Sequence, residues 1–431
     1  MSSPSQLRTW LACALLSVSP ANLLAQGACA ADSWSPPRLI WRAFNDSASM
    51  HPTAVAASAG QLVIASEYPP QLGGQAAPSF PATALGLVVD RTTGAVVEIA
   101  KPDLPMSFRA LRTGIDALGV VHLLWGETAG VTTPDRTGGE GATQVWAAQV
   151  LNGVVSPPTL ILADSALRWE DGLSAPVRLD RRGQLHTLVA ATPVPSNVPF
   201  AHLIYSGLRW RVSHLISFVS LLPSEVTFDV AGDTVHALFI AAPLDASTNF
   251  HDVLWYARRS LDDERWSRPV RVTATDDVYV RSPTISIASS GALRVAWLQA
   301  ERNGTFFFDT LALASSIDGG RSFRVPRLVD AVHSVRAIPA SWSDACGVTH
   351  LQVNSGGIGL SNDTRVIAWS DSTVAIGDAA PHTFLDLGHS IFSIPPVGGM
   401  SRVWSSAFVA PNLPVMLFWY ESHQRAVVPT R

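Results

Sequence analysis

A chain of 431 residues with 47% hydrophobic and 15% charged side chains can fill a large core and is too apolar for a disordered polymer. Its formal net charge of -4, with no basic run, excludes an electrostatic case for nucleic-acid binding. Cys13 and Cys29 lie near the N-terminus, so Cys346 stands alone in the body with no disulfide partner there.

Arg8 precedes an apolar run from Trp10 to Leu24, and Ala28-Cys29-Ala30 is a small-x-small cleavage pattern. Residues 1–30 are therefore expected to be a secretory signal, too short and Pro-interrupted to span a bilayer. Residues 31–431 are expected to form one exported domain, periplasmic or secreted. Gln26, where lipid-attachment sites usually carry Leu, argues against anchoring through Cys29. No later apolar run is long enough for an integral membrane segment.

Beyond residue 30 the pattern is period-2, in short runs bounded by Gly, Ser, Asp and Pro. A strand, a turn and an apolar strand recur, starting near His51, Phe108, Ser174, Ser224, Ser282 and Ile338. Their turn glycines (Gly60, Gly119, Gly183, Gly232, Gly291, Gly347) stand about 50 to 65 residues apart, room for four strands and their loops. A seventh copy near Trp404 has Pro411-Asn412 in place of the Gly turn. Third strands follow as TQVWAAQV, AHLIYSG, DVLWYARRS, DTLALASS and TRVIAWSDS. Fourth strands are marked by Ser156-Pro157-Pro158-Thr159-Leu160-Ile161, by Trp266-Ser267-Arg268-Pro269-Val270 and by residues 323–329. The expectation is an all-β chain, a β-propeller of four-stranded antiparallel blades, seven by this count with six as the alternative. Residues 34–40 match the fourth strands, whereas the last copy has only three (405–410, 413–420, 425–429). The N-terminal strand is thus expected to complete the last blade and close the ring, removing an open edge. The longer connectors follow second strands (129–142, 193–199, 243–251, 301–308, 355–363), and 372–400 leads into the last blade. They emerge on one face of such a ring, the expected ligand face.

In the fifth copy, third and fourth strands are joined by Ser316-Ile317-Asp318-Gly319-Gly320-Arg321-Ser322-Phe323. Asp318 is placed to accept backbone N–H bonds, the glycines to supply positive φ, and Phe323 to pin the turn to its sheet. This is the Ser-x-Asp-x-Gly-x-Ser/Thr-aromatic pattern of an Asp-box; residues 260–266 are a degenerate copy and 206–210 a shortened one. On these residues the chain resembles the sialidase-like (BNR/Asp-box repeat) β-propellers over essentially all of its length beyond the signal. The resemblance implies the propeller fold, with Ser316, Asp318, Gly320 and Phe323 as a structural turn on the face away from the ligand. It carries over no catalytic residue. The Arg-Ile-Pro motif of that family is absent, Arg336-Ala337-Ile338-Pro339 being nearest, and its rings resemble six blades rather than seven.

Starts of first strands and ends of second strands meet on the loop-rich face. Read there, Arg109 with Glu127, Arg281 with Glu301, and Arg402 with Glu421 flank their turns at similar distances, each an expected cross-strand pair. His51 with Glu67, and Arg336 near Asn354, occupy the same places. A ring of guanidiniums and carboxylates suits a glycan or acidic small ligand; simple rim ion pairs are the blander reading. Tyr279 shares a strand face with Arg281, and Glu301 is expected across from both, a sialidase-type Tyr–carboxylate arrangement. His122, His186, His236 and His350 recur at one place in second strands. On sheets about 10 Å apart they cannot converge on one ion, so neither metal nor cofactor is expected. Trp125, Trp297 and Trp419 recur as packing residues, Cys346 reads as a small buried residue, and no Gly-x-Ser-x-Gly elbow supports a serine triad. Two functions fit: an exported propeller that binds a glycan or another exported protein without catalysis, or a diverged sialidase-like exo-glycoside hydrolase with an arginine-lined pocket.

Overall fold

The computed structural model describes residues 8–10, 52–58, 60–66, 84–90, 92–100, 109–127, 144–163, 176–190, 200–216, 221–243, 253–263, 265–274, 278–288, 290–301, 310–329, 335–343, 348–355, 363–369, 374–377, 401–408 and 416–423. Every regular element among them is a β-strand. β1 (Arg8–Trp10) comes first. A first sheet holds β2 (Pro52–Ala57), β3 (Gln61–Ser66), β4 (Ala84–Asp90) and β5 (Val96–Ala100). A second holds β6 (Arg109–Ile115), β7 (Val121–Glu127), β8 (Gln144–Leu151), the two-residue β9 (Val154–Val155) and β10 (Thr159–Ala163). The third is β11 (Arg178–Leu179), β12 (Leu185–Ala190), β13 (Phe200–Tyr205) and β14 (Trp210–Ile216). The fourth is β15 (Leu221–Ala231), β16 (Thr234–Pro243), β17 (Val253–Ser260) and β18 (Val270–Arg271). The fifth is β19 (Val278–Ile287), β20 (Leu293–Glu301), β21 (Thr310–Ser316) and β22 (Arg327–Val329). The sixth is β23 (Val335–Ser343), β24 (Thr349–Ser355), β25 (Asp363–Trp369) and β26 (Val374–Gly377). β27 (Ser401–Phe408) and β28 (Met416–His423) form the seventh, with β1 on the free edge of β28. First strands of successive sheets lie against one another where sequence neighbours meet, and β27 lies against both β23 and β2.

Alternation along each strand sends side chains to two different neighbours. In β7, Val121, Leu123 and Trp125 join a core with Val63, Ala65 and Ile99 of the first sheet, while Leu124 joins Ala201 and Leu203 of the third. In β16, Val235, Ala237, Phe239 and Ala241 pack with Leu188 of the third sheet, while Leu238 and Ile240 pack with Val280, Val295 and Trp297 of the fifth. Fully burying such a side chain contributes about 1.5–3 kcal/mol, several times an exposed ion pair, so apolar packing between sheets dominates their association.

Outer strands start where proline ends. Pro157-Pro158, Pro269 and Pro326 immediately precede β10, β18 and β22, and the missing N–H delays the ladder. The fourth strand expected over 323–329 therefore pairs only over Arg327–Val329. Serine hydroxyls fill two of the gaps: Ser156 Oγ accepts from the Gln149 N–H at 3.0 Å and Ser267 Oγ from the Arg258 N–H at 3.0 Å.

The 316–323 turn is a clasp between two sheets. Asp318 Oδ1 accepts the N–H groups of Arg321 and Ser322 at 2.9 and 3.1 Å, and Asp318 takes the hydroxyls of Ser316 and Ser322 at 2.7 and 2.6 Å. Those bonds, that from the Ser322 hydroxyl foremost, hold the exposed carboxyl well below the usual carboxylate range. Gly319 and Gly320 have φ of 70° and 83°, and any side chain on Gly320 would overlap the Tyr256 ring. Phe323 was expected to pin the turn to its own sheet. Instead it meets Tyr256 of β17 edge-on at 5.3 Å, while Arg258 donates to the Gly319 carbonyl at 2.7 Å, so the turn is pinned to the preceding sheet.

The edge of the last sheet carries a strand from earlier in the chain than the one expected there. The strand at 34–40 and the one at 425–429 lie outside the described residues. The strand on the edge of β28 is β1, antiparallel, with Arg8 opposite His423 and Trp10 opposite Glu421, although residues 8–10 fall within the stretch read as a signal. An open β28 edge presents unpaired backbone groups, and β1 satisfies them.

Beneath the clasp, the Tyr256 hydroxyl and His236 Nδ1 share a hydrogen bond of 2.7 Å. Burial first, then the Arg258 charge, lowers the His236 pKa from 6.5 to about 4. Because the folded value is depressed, the stability His236 contributes is fully present above pH 6.5 and is lost as pH falls through 4. Linkage gives a loss of about 2 kcal/mol between pH 7 and pH 5 from this residue. Urea denaturation at the two pH values checks it: His236→Gln is expected to show a pH difference smaller by that amount than the parent chain.

Candidate functional site

All eight sequence-predicted ligand residues lie at the strand ends opposite the hairpin turns. Arg109 opens β6, Arg281 is the fourth residue of β19, and Arg336 and Arg402 are second in β23 and β27. Glu127 and Glu301 close β7 and β20, Glu421 lies near the end of β28, and Tyr279 is second in β19. His51 and Glu67 lie outside the described residues.

The expected cross-strand pairs are not formed by the register. Arg109 stands opposite Gly126 rather than Glu127, Arg281 opposite Leu298 rather than Glu301, and Arg402 opposite Ser422 rather than Glu421. Asn354 faces Ala337, next to Arg336. Glu301 is opposite Val278 and Tyr279 opposite Ala300, so the Tyr279–Glu301 arrangement is not set by pairing either. For Arg109 and Tyr279 the physical reason is a β-bulge, since unbroken ladders would set them opposite Glu127 and Glu301, whereas Arg281 and Arg402 miss their glutamates through the register of the hairpin itself. Register shifts interrupt β2 at Pro52/Ala54, β6 at Arg109/Arg112, β15 at Pro223/Glu225, β19 at Arg281/Thr284 and β23 at Val335/Ala337 and again at Ala337/Ala340. Each lies in the same end of a first strand. A bulge inserts a residue, bends the strand and re-aims its side chains, and no sequence periodicity reveals its place.

The fifth sheet shows what one bulge does. Val280 is buried in the core shared with the fourth sheet, whereas Tyr279 and Arg281, on the other face, are half-buried and exposed. The next residue, Ser282, has φ of 50° and is buried, and its N–H donates to Glu225 Oε2 of β15 at 3.0 Å. A non-glycine residue in the left-handed region, and directly before Pro283, is backbone strain held by its surroundings. The donor and acceptor are 57 residues apart, the same spacing as the hydroxyl contacts Thr284–Ser341 at 2.6 Å and Ser286–Ser343 at 3.0 Å. Equivalent positions of neighbouring first strands thus touch directly.

At the opposite end, sequence reading found the repeated histidines but missed their partners. Asp116 and Asp180 each stand three residues before the turn glycine and six before the histidine. Asp116 Oδ1 accepts the N–H groups of Leu118 and Val120, and its Oδ2 meets His122 Nε2 at 3.0 Å. Asp180 does the same with Arg182, Gln184 and His186, the last at 3.1 Å. The Asp-x-x-Gly-x-x-His spacing was the available signal. From His186 the bonds continue: Nδ1 meets His202 Nε2 at 3.0 Å, and His202 Nδ1 meets Arg259 Nη1 of the fourth sheet at 3.0 Å. Arginine only donates. His202 Nδ1 therefore accepts, its Nε2–H donates to His186 Nδ1, and the His186 Nε2–H donates to Asp180. Both imidazoles are neutral in this order, and both are fully buried. Buried so, the row joins two sheets and offers no face to a ligand.

Among the described residues, no group of three or more His, Cys, Asp and Glu side chains is placed to hold a metal ion, and no helix is long and apolar enough to cross a membrane. Trp125 and Trp297 are buried in the cores between sheets, as expected. Cys346 lies outside the described residues.

No family model matches the chain, and no curated protein matches it. Among solved structures, a polysaccharide lyase is similar over 98% of this chain and 100% of its own, with TM-score 0.49 and 11% identity. An α-L-arabinanase of Penicillium chrysogenum, complexed with arabinobiose, is similar over 73% of this chain and 93% of its own, with TM-score 0.41 and 12% identity. An α-L-arabinofuranosidase of Fusarium graminearum is similar over 74% and 93%, with TM-score 0.40 and 11% identity. At TM-scores this low the likenesses carry no argument about the site.

The geometry sets stability expectations at Ser282, Arg259 and Arg181. Ser282→Val is expected to cost about 2 kcal/mol or more, because a β-branched residue resists the left-handed region, whereas Ser282→Gly is near neutral, strain relief offsetting chain entropy. Arg259→Leu is expected to cost about 3 kcal/mol by leaving His202 without its donor and Asp180 without its distant counter-charge. Arg181→Ala, which removes an exposed pair with Asp233, is expected to cost less than about 1 kcal/mol. Chemical denaturation of the four variants measures all of these.

Proposed function

We propose that the seven sheets form a closed seven-bladed propeller of an exported protein, whose strand ends opposite the hairpin turns bind a carboxylate-bearing glycan without catalysis. The observation that supports this reading is the recurrence of bulges at one end of β2, β6, β15, β19 and β23, the end that carries Arg109, Arg281 and Arg336. Bulges of this kind concentrate where side chains are presented to ligands. The position of β27 against both β23 and β2 supports ring closure.

In this reading Arg109, Arg281, Arg336 and Arg402 supply planar guanidiniums for carboxylates, which they engage by paired charge-assisted hydrogen bonds. Glu127, Glu301 and Glu421 supply acceptors for sugar hydroxyls, and Tyr279 an amphipathic ring beside Arg281. Sialidase-type hydrolysis, the competing reading, needs a tyrosine and a carboxylate acting together, and the register of Tyr279 and Glu301 weighs against that pair.

Titration calorimetry with tetragalacturonate and 3′-sialyllactose, and with cellotetraose as a neutral control, tests the reading. The acidic sugars are expected to bind and the neutral one not, and Arg281→Ala is expected to weaken binding at least about tenfold with little change in stability. Equal binding of cellotetraose, or unchanged binding by Arg281→Ala, would refute it. Release of product from fluorogenic sialosides, abolished in Tyr279→Phe, would favour the hydrolase.

A further inference from the structure

We infer that Glu225 is a positioning residue for the ligand site: from the fourth sheet it holds the left-handed Ser282 and so fixes how the fifth sheet presents Arg281. This rests on the binding role proposed for Arg281. Glu225 lies at the bulge of its own strand, β15, half-buried, and its Oε2 accepts the Ser282 N–H at 3.0 Å. Between Arg281 and Thr284 β19 advances three residues while β20 advances two, from Leu298 to Ala296, so one residue is extra and the intervening amides leave the ladder. An amide that has left the ladder and is buried needs another acceptor, and an ionised carboxylate is a strong one. The bond is made at the residue whose backbone is strained and which is covalently next to Arg281. Without it, nothing so direct opposes relaxation of φ at Ser282 toward the extended region preferred before proline, and that rotation swings the Arg281 backbone with it.

The arrangement also says why the site belongs to two sheets. Glu225 and Ser282 are equivalent positions, 57 residues apart, in adjacent first strands. The orientation of a guanidinium on one sheet is thereby set by a carboxylate on the sheet before it, and the seam between them acts as one unit.

A mutant cycle tests this, with tetragalacturonate as probe and Arg402→Ala as the reference background. Glu225→Ala is expected to weaken binding about tenfold, and Glu225→Gln, which keeps a carbonyl acceptor for the Ser282 N–H, to restore it to within about threefold. In an Arg281→Ala background Glu225→Ala is expected to add nothing, whereas in Arg402→Ala it keeps its full effect. Amide exchange at Ser282, read without ligand, is expected to be slow in the parent and Glu225→Gln and fast in Glu225→Ala. Equal effects of Glu225→Ala in both arginine backgrounds, or failure of Glu225→Gln to restore binding, would overturn the inference while leaving the binding role of Arg281 intact. If the parent chain binds no acidic sugar, the binding role falls and the inference with it, whatever the exchange rates.

Discussion

The second and fourth sheets carry apolar side chains on both faces, so neither is stable with water on either side. Leu123 and Trp125 go one way and Leu124 the other; Val235 and Phe239 go one way and Leu238 the other. A sheet of this kind needs a like neighbour on each side, so successive sheets along the chain stack against one another. Everything else follows from that constraint. The polar side chains between sheets are those that fit such a seam, and the outer strands are free to be short, proline-led and irregular because little packing depends on them.

The fold was legible because two-sided burial leaves a period-2 signal, and four strands plus loops leave a second, longer one. Turn glycines were legible for a local reason: Gly119, Gly183, Gly232 and Gly291 have positive φ, which other residues resist. Register was not. Period-2 reasoning places Arg281 and Glu301 at mirrored distances from Gly291, but the hairpin is centred one residue earlier, so the ladder leads from Thr284–Ala296 toward Gln299 rather than Glu301. One extra residue between Arg281 and Thr284 then moves the partner of Arg281 to Leu298. Nor does parity reveal contacts between sheets: Phe323 packs on the core shared by the fourth and fifth sheets, and its contact with Tyr256 of the neighbour leaves no trace in the pattern. The aspartates behind the histidines were written at constant spacing, yet a lone Asp near a turn glycine reads as turn chemistry until its histidine is seen beside it.

The two ends of the strands divide the labour. At the hairpin end, carboxylates, imidazoles and glycines are locked into turns: Asp116 and Asp180 each satisfy two amides and one ring nitrogen, and the 316–323 turn clasps its neighbour through Tyr256 and Arg258. At the other end the ladders are broken by bulges and a residue is held in strain. Rigidity at one end permits irregularity at the other, since stored strain persists only where the surroundings over-determine it.

The row from Arg259 through His202 and His186 to Asp180 has a polarity that no single bond in it possesses. Every hydrogen in it points the same way, from the cationic end toward the anionic one, so the four groups behave as a single elongated dipole laid across the boundary of the third and fourth sheets. Such a row has no vacancy for another hydrogen. Turning one bond of the row around would require turning all of them, so the row fixes the third sheet against the fourth as a unit and in one sense only.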